Sequence, residues 1–176
     1  MALSAITVAN TDHFAKGGIK KLTLGVYDGT TLIDINTAEQ TAVNSTLVLG
    51  ADSQVIDFEK ETAKMSVSGS QEKGLMMFTV SIECYIPKID NTRFKGLQAM
   101  VGQALCAKVE GWDDTSFIVG FDGVLGDENG GAAGATTDFA LFLESIEADS
   151  GAGLADQNGV TLKLTSVQGA LPYTLQ

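Results

Sequence analysis

The sequence predicts a mainly β (α+β) fold: two packed antiparallel sheets forming a sandwich or barrel, with one short flanking helix. Three observations carry this. The chain has 20 glycines and only 2 prolines among 176 residues, alongside many Thr, Val and Ile, the usage of strands joined by tight turns. Leu75 to Pro87 alternates strictly: Met76, Phe78, Val80, Ile82, Cys84 and Ile86 fall on one face, Met77, Thr79, Ser81, Glu83 and Tyr85 on the other, and a period of two this long is a half-buried strand. Helical spacing defends one segment only, just after Pro87.

In chain order, residues 1–18 are small and polar and read as an N-terminal arm. Leu22, Leu24 and Val26 then share a strand face. Asp28-Gly29 separates this run from Thr31–Ile35, a strong hairpin signal because a type I′ turn needs positive φ at both central residues. Ala38–Val43 carries a helical-turn pattern and Thr46–Leu49 a short strand. From Ser53, Val55, Asp57 and Glu59 oppose Ile56, Phe58 and Lys60. Met65–Val67 is a further short strand, and Ser68–Gly74 is polar and glycine-flanked, a loop or long hairpin tip.

At about 3.3 Å per residue the Leu75–Pro87 strand spans roughly 35–40 Å, long for an ordinary domain. Asp90 or Asn91 then caps a helix with Phe94, Leu97 and Val101 on one side and Gly102 placed for the C′ position. Ala104–Val109 and Phe117–Phe121 form a hairpin across Gly111–Asp114. A glycine- and alanine-rich loop, 122–136, precedes a strand at Thr137–Ile146 with Phe139, Leu141 and Leu143 on one face. Residues 149–158 are loop-like, Asn158-Gly159 turns into the alternating Val160–Val167, and Gly169–Gln176 is a short tail. No repeat or internal boundary interrupts a single domain over 1–176. Strands, one helix, then more strands is the order of an α+β chain.

The formal charge of −11 repels nucleic-acid phosphates and acidic membrane surfaces, which excludes a specific DNA or RNA reader. An acidic wall along which DNA slides without sticking remains compatible with it. No apolar run approaches the ~20 residues of a membrane span, and Met1–Ile6 lacks the basic and apolar regions of a signal peptide, so the expectation is a protein made in the cytoplasm with no membrane partner. Cys84 and Cys106 lie in apolar strand-like runs and read as reduced core residues, with a single disulfide between them as the minor alternative.

The candidate chemistry is thin. The one histidine, His13, stands in the weakly patterned arm, and no Gly-x-Ser-x-Gly turn accompanies it. Two cysteines twenty-two positions apart with one distant histidine make no zinc site. The glycine-rich stretch 120–134 lacks the Gly-Lys-Ser/Thr ending of a phosphate loop and no helix follows it. Asp127–Gly130 and Asp113-Asp114 lack the spaced ligands of a calcium loop. Asp57, Glu59 and Glu61 resemble a glycosidase pair only loosely and read as a solvated strand face. Trp112, between Gly111 and two aspartates, reads as a turn residue folded back on the sheet or an interface anchor. The expectation is therefore no enzyme, no cofactor and no metal.

Gly69–Gly74, the long strand ending Tyr85-Ile-Pro-Lys-Ile-Asp90, the helix through Leu97, the hairpin around Trp112, Ile118-Val-Gly120 and Asn158-Gly-Val-Thr-Leu-Lys-Leu-Thr165 together resemble phage tail tube proteins over roughly residues 55–168. Leu171-Pro-Tyr173 resembles the short tail after their last strand, whereas the arm and residues 28–50 match poorly. The resemblance implies a structural virion subunit with the fold shared by contractile-tail inner tubes and haemolysin-coregulated tube proteins. It further implies stacked, hexameric rings enclosing a channel for DNA delivery, with DNA passing through unbound. The implied partners are copies of the chain and other tail proteins (terminator, baseplate, sheath), and the implied location is the virion tail, after synthesis in the bacterial host cytoplasm. On that reading Glu83 is the first candidate for the channel wall, with Glu59, Glu61 and Glu144 behind it, and Ser68, Gly69, Ser70, Gln71, Glu72 and Lys73 form a ring-stacking loop. The competing readings are another tail or injection-system part (terminator, baseplate hub, head decoration) and a carbohydrate-binding β-module. The latter wants several exposed aromatics on one face, and the chain has 1 Trp and 3 Tyr.

Overall fold

The structure, a computed structural model, describes residues 17–26, 35–36, 41–42, 53–72, 74–88, 90–120, 140–151, 158–169 and 171–175. His13, most of the arm, the Asp28-Gly29 hairpin, the 46–49 pattern, the glycine-rich loop and Thr137–Phe139 lie outside them, as does most of the 38–43 helical-turn pattern, whose described residues, Thr41–Ala42, are instead a short strand paired with Ile35–Asn36.

Eleven strands and one helix follow in order: β1 Ile19–Val26, β2 Ile35–Asn36, β3 Thr41–Ala42, β4 Gln54–Ile56, β5 Lys64–Glu72, β6 Leu75–Pro87, α1 Asn91–Met100, β7 Leu105–Gly111, β8 Ser116–Val119, β9 Phe142–Asp149, β10 Gly159–Gln168 and β11 Tyr173–Leu175. They form two sheets. Sheet A has the order β2-β3-β11-β8-β7-β1-β4 and sheet B the order β5-β6-β10-β9. The body of sheet A, β8-β7-β1-β4, is antiparallel like all of sheet B. Short β11 extends it, and β11 runs parallel to β3.

The core lies between the sheets because each strand sends alternate residues inward. From sheet B come Val80, Ile82, Cys84 and Ile86 of β6, matched by Val160, Leu162 and Leu164 of β10; from sheet A come Leu22, Leu24, Leu105, Ala107 and Val109. Their register sets Leu162 opposite Cys84 and Leu164 opposite Ile82. A fully buried side chain of this size contributes about 1.5–3 kcal/mol, so this interleaved set holds the sandwich together. Cys84 and Cys106 are both buried and no disulfide joins them. Cys106 faces the other side of sheet A, paired with Gly25, and its Sγ donates to the Gly25 carbonyl at 3.5 Å.

Helix α1 starts where the sequence predicts. Asp90 is its N-cap and accepts a hydrogen bond from the Arg93 amide at 2.9 Å. Gly102, past its end, has φ +74°. Its one fully buried residue is Leu97.

Four further expectations change. Ser68–Glu72 is not a loop: it is the outer half of β5, paired residue for residue with Leu75–Thr79 of β6, so the connection shrinks to Lys73-Gly74, Gly74 taking φ +84°. Serines suit a strand whose one face is solvated, and composition alone misread them. The strand pattern of residues 53–60 stops at Ile56, because the chain must cross from sheet A to sheet B before Lys64. The crossing is pinned by the Glu59 amide on the Tyr85 carbonyl at 2.9 Å and by Thr62, whose amide and hydroxyl both donate to the Glu59 carbonyl. The strand expected to end at Ile146 runs on to Asp149. The C-terminal tail contributes β11 to sheet A, Thr174 opposite Phe117.

The sheets also touch through backbone. Leu141 exchanges both hydrogen bonds with Leu105 of sheet A, at 2.8 and 2.9 Å, and the next residue enters β9 of sheet B. Gly120, with φ +91°, sits against this junction: a Cβ there would lie 2.8 Å from the Leu105 carbonyl oxygen.

Candidate functional site

Sheet B turns one face into the core and the other to solvent. The outer face carries Lys64, Ser66, Ser68 and Ser70 from β5, Met77, Thr79, Ser81, Glu83 and Tyr85 from β6, Thr161, Lys163, Thr165 and Val167 from β10, and Glu144, Ser145 and Glu147 from β9. It is predominantly hydroxylic. Across its middle runs a row of charges, Lys64–Glu83–Lys163–Glu144.

The geometry of that row follows from register. Lys64 and Lys163 both stand opposite Glu83, and the Lys64 ammonium meets the Glu83 carboxylate at 3.1 Å. On the far side β9 carries one extra residue opposite the Lys163–Leu164 step, a bulge that presents Glu144 to the outer face. Its carboxylate accepts from Lys163 Nζ at 2.8 Å and from the Thr165 hydroxyl. Those two hydrogen bonds, Lys163 foremost, hold the Glu144 carboxyl below its usual range, and the same contact raises Lys163. These groups are exposed, so water and salt screen the pairs and their contribution to stability is small.

Of the carboxylates singled out for a channel wall, the structure brings Glu83 and Glu144 together on this face. Glu59 and Glu61 stand in the crossing between sheets, Glu61 at φ 65°, and so do not share a strand face with Asp57. The face they share is not purely acidic: two lysines alternate with the two glutamates, and it is close to charge-balanced in its centre. Lys163 was visible in the sequence as the polar partner of Leu162 and Leu164. Its placement opposite Glu83 was not, because pairing β10 with β6 is non-local. Trp112 folds back as expected: its indole lies against Gly18, where a Cβ would meet Cδ1 at 3.7 Å.

The edges of sheet B are the second feature. Among the described residues, β5 and β9 each pair on one side only. Both edges leave apolar side chains in solvent: Val67 is 39% exposed on β5, Phe142 42% and Ile146 36% on β9. At the tip of the β5–β6 hairpin Leu75 is 70% exposed and Met76 48%. An edge strand with unsatisfied backbone and exposed apolar residues is a template for another chain. None of these residues was singled out from sequence. Alternation placed Met76 with the core-facing residues of its strand, and only the topology shows that no described strand covers these positions.

Among the described residues no group of three or more His, Cys, Asp or Glu could hold a metal ion, and no helix is long and apolar enough to cross a membrane. Comparison of the chain with family models, with curated proteins and with solved structures finds no match in any of the three.

Proposed function

We propose that this chain is a self-assembling structural subunit, the tube protein of a phage-type tail. In this reading β5 of one copy meets β9 of the next, and six sheets B close into a ring whose outer-face residues become the channel wall. Rings stack into a tube through which DNA passes without specific binding. The observation that carries the reading is sheet B itself. Its two edges are half-apolar and unpartnered among the described residues, while the face between them is hydroxylic and charge-balanced.

Chain closure removes such edges altogether. A head-to-tail contact between identical subunits closes into a ring when the rotation permits. The face between the edges also suits a channel. Serine and threonine hydroxyls are satisfied by water, and the lysines, engaged by Glu83 and Glu144, offer a passing phosphate backbone little net attraction. The projecting β5–β6 hairpin, with Leu75 and Met76 at its tip, takes the stacking role expected of Ser68–Lys73; Lys73 itself lies outside the described residues. The number six and the partners beyond the chain itself come from the tail-tube resemblance.

Negative-stain electron microscopy of the purified protein over a range of concentrations tests this directly, with hollow rings or stacked tubes expected. Val67→Lys, which puts a charge on the β5 edge without touching a fully buried site, is expected to leave a folded monomer that no longer assembles. A featureless monomer at every concentration, or rings from Val67→Lys at wild-type yield, would overturn the edge-to-edge reading.

A further inference from the structure

Neighbouring strands of sheet B all run antiparallel, β5 to β6, β6 to β10 and β10 to β9. The β5 strand of a following copy set beside β9 therefore continues the same alternation of direction. The two faces of the sheet restrict the pairing further. On β5, Lys64, Ser66 and Ser68 point to the solvated face, and Met65 and Val67 to the core side. On the part of β9 between its bulge and its end, Ser145, Glu147 and Asp149 point to the solvated face, and Ile146 and Ala148 to the core side. A slip of one residue would exchange the faces, so the possible registers differ by steps of two.

One register satisfies charge, apolar cover and ring closure together: Asp149 opposite Lys64 of the next copy, Glu147 opposite Ser66, Ile146 opposite Val67 and Ser145 opposite Ser68. It gives Lys64 a carboxylate across the new edge besides Glu83 on its own sheet, offers the Ser66 hydroxyl to Glu147, and lays the exposed Ile146 on the exposed Val67, with no like charges opposed. Closure is the independent condition. Lys64, Glu83, Lys163 and Ser145 stand in one row across the sheet. With Ser145 opposite Ser68 of the next copy, that row climbs from position 64 to position 68, four residues for the four strands crossed. At about 3.3 Å per residue and about 4.8 Å between strands, this tilts the strands by about 35° to the ring axis, whatever the number of copies, and closed barrels tilt by roughly 35–45°. The register two residues shorter, Lys64 opposite Glu147, tilts them by only about 19° and leaves Asp149 unmatched. The register two residues longer, Ser66 opposite Asp149, leaves Lys64 with nothing across the edge and sets Ile146 against Gly69. We propose that copies join through Lys64–Ser68 of β5 antiparallel to Ser145–Asp149 of β9, with Val67 directly opposite Ile146. This rests on the edge-to-edge assembly proposed above and fixes its register.

Cysteine cross-linking in the full-length chain reads the register directly. Both native cysteines are buried and do not compete. Single variants are made separately, mixed in pairs, allowed to assemble and oxidised, and the particles are imaged alongside. Ser66→Cys with Glu147→Cys reports the proposed register, Ser66→Cys with Ser145→Cys the shorter one, and Ser68→Cys with Glu147→Cys the longer one. Directly opposed Cβ atoms lie about 4.5–5.5 Å apart and diagonal ones about 7–8 Å, so only the matching pair comes near disulfide distance. The expected result is a non-reducing band at twice the chain mass from the first mixture, lost in the other two and in each variant oxidised alone. A band from either of the other mixtures would overturn the register and leave the contact between β5 and β9 standing. Rings without a band from any mixture would overturn both the register and that contact, as when another strand covers β5, and leave self-assembly standing. Ser66→Cys or Glu147→Cys cross-linking to itself would show two-fold pairing and overturn both. The expected band without rings would sustain the register and sink ring closure; neither band nor rings would sink the register and the assembly together.

Discussion

Gly120 and Gly96 receive the same substitution with opposite expected signs, and the contrast measures how tightly the two sheets are joined. At Gly120 alanine meets two penalties. Its φ of +91° is one that side-chain-bearing residues rarely adopt, at a cost of about 1–2 kcal/mol. Its Cβ would stand 2.8 Å from the Leu105 carbonyl oxygen and 3.1 Å from the Leu141 amide nitrogen. Those atoms are the backbone pair joining sheet A to the start of β9, so neither can swing aside as a side-chain tip would, and overpacking of this kind costs about 1–3 kcal/mol more. The sum is about 2–5 kcal/mol, which for a chain of this length lowers Tm by roughly 10 °C. Gly96 lies in α1 with nothing within 4 Å of the added carbon, so alanine there gains about 0.5–1 kcal/mol of helix propensity and raises Tm by about 2 °C. Thermal unfolding of the two variants, followed by Trp112 fluorescence and circular dichroism, checks both. A Gly120→Ala protein as stable as wild type would refute the close junction between the sheets, whatever Gly96→Ala does.

Tyr85 offers a gentler test: its hydroxyl is buried without a hydrogen-bond partner, so Tyr85→Phe is expected to be neutral or slightly stabilising in urea titration, within about 1 kcal/mol, because no bond is lost. A larger loss of stability would mean the hydroxyl is bonded after all. Thiol labelling at pH 8 should modify neither cysteine in the native protein and both after unfolding, since burial pushes the Cys84 thiol up to about 12 and Cys106 is fully inaccessible; rapid native labelling contradicts that packing. Stability against pH should be flat from about 4.5 to 9. Asp90, Asp114 and Glu144 are held below 3.8, 3.8 and 4.5 by the Arg93 amide, Lys20 and Lys163, so what they contribute is present above those values and lost as pH falls through the lowered ones. On the alkaline side Cys84 stays protonated in the fold above its ordinary 9.0, so the unfolded chain gains first as pH rises past 9, and the raised lysines 20 and 163 add their loss above 10.5. A decline beginning at neutral pH would point to other groups. Glu83→Lys sets a third lysine between Lys64 and Lys163; the subunit should fold, because the site is on the solvated face, and assembled particles should retain DNA in a salt-sensitive way that wild-type particles do not. Equal DNA retention by both would remove this face from the channel wall.

Much of the fold was legible where local pattern and tertiary burial agree. The thirteen residues of β6 alternate without a break, and both ends are marked, by Gly74 and Pro87. The Asp90 cap, the Leu97 contact and Gly102 specified α1 within a residue, because capping is local chemistry. Legibility failed where the partner is distant. Serine-rich β5 has no hydrophobic signature, and becomes a strand because the long β6 beside it supplies nine pairing positions. The chain between Ile56 and Lys64 alternates like a strand but is bent by the need to change sheets. The candidate site shows the same division. Glu83 could be assigned to a solvated face from alternation alone, whereas the lysines that neutralise it required two inter-strand registers. The exposed apolar residues at the edges of sheet B went unassigned because the sequence does not say which strand is last.

The two edges of sheet B differ in charge, and the difference selects how copies would pair. Exposed β9 carries Glu144, Glu147 and Asp149, and its bulge disturbs the ladder at Glu144. Edge β5 carries Lys64 at one end and Glu72 at the other, with serines and Val67 along its middle. Joining β9 to β9 would set three carboxylates against their own copies across a strand spacing of about 4.8 Å, and like charges directly opposed are destabilising. Joining β5 to β5 antiparallel about Ser68 would set Lys64 opposite Glu72, but it would leave both acidic β9 edges open. Joining β5 to β9 sets Lys64 and the serines against the acidic edge and brings Val67 and Ile146 together on the core-facing side of the sheet. That contact is heterologous, so it propagates, and it must close into a ring or continue as an open filament. A closed two-fold dimer through β9 would require the disfavoured pairing, and one through β5 would leave both acidic edges unpaired. In the proposed assembly, three carboxylates on β9 against a serine-rich β5 with one lysine and one glutamate therefore favour the heterologous, ring-forming contact over a β9–β9 dimer.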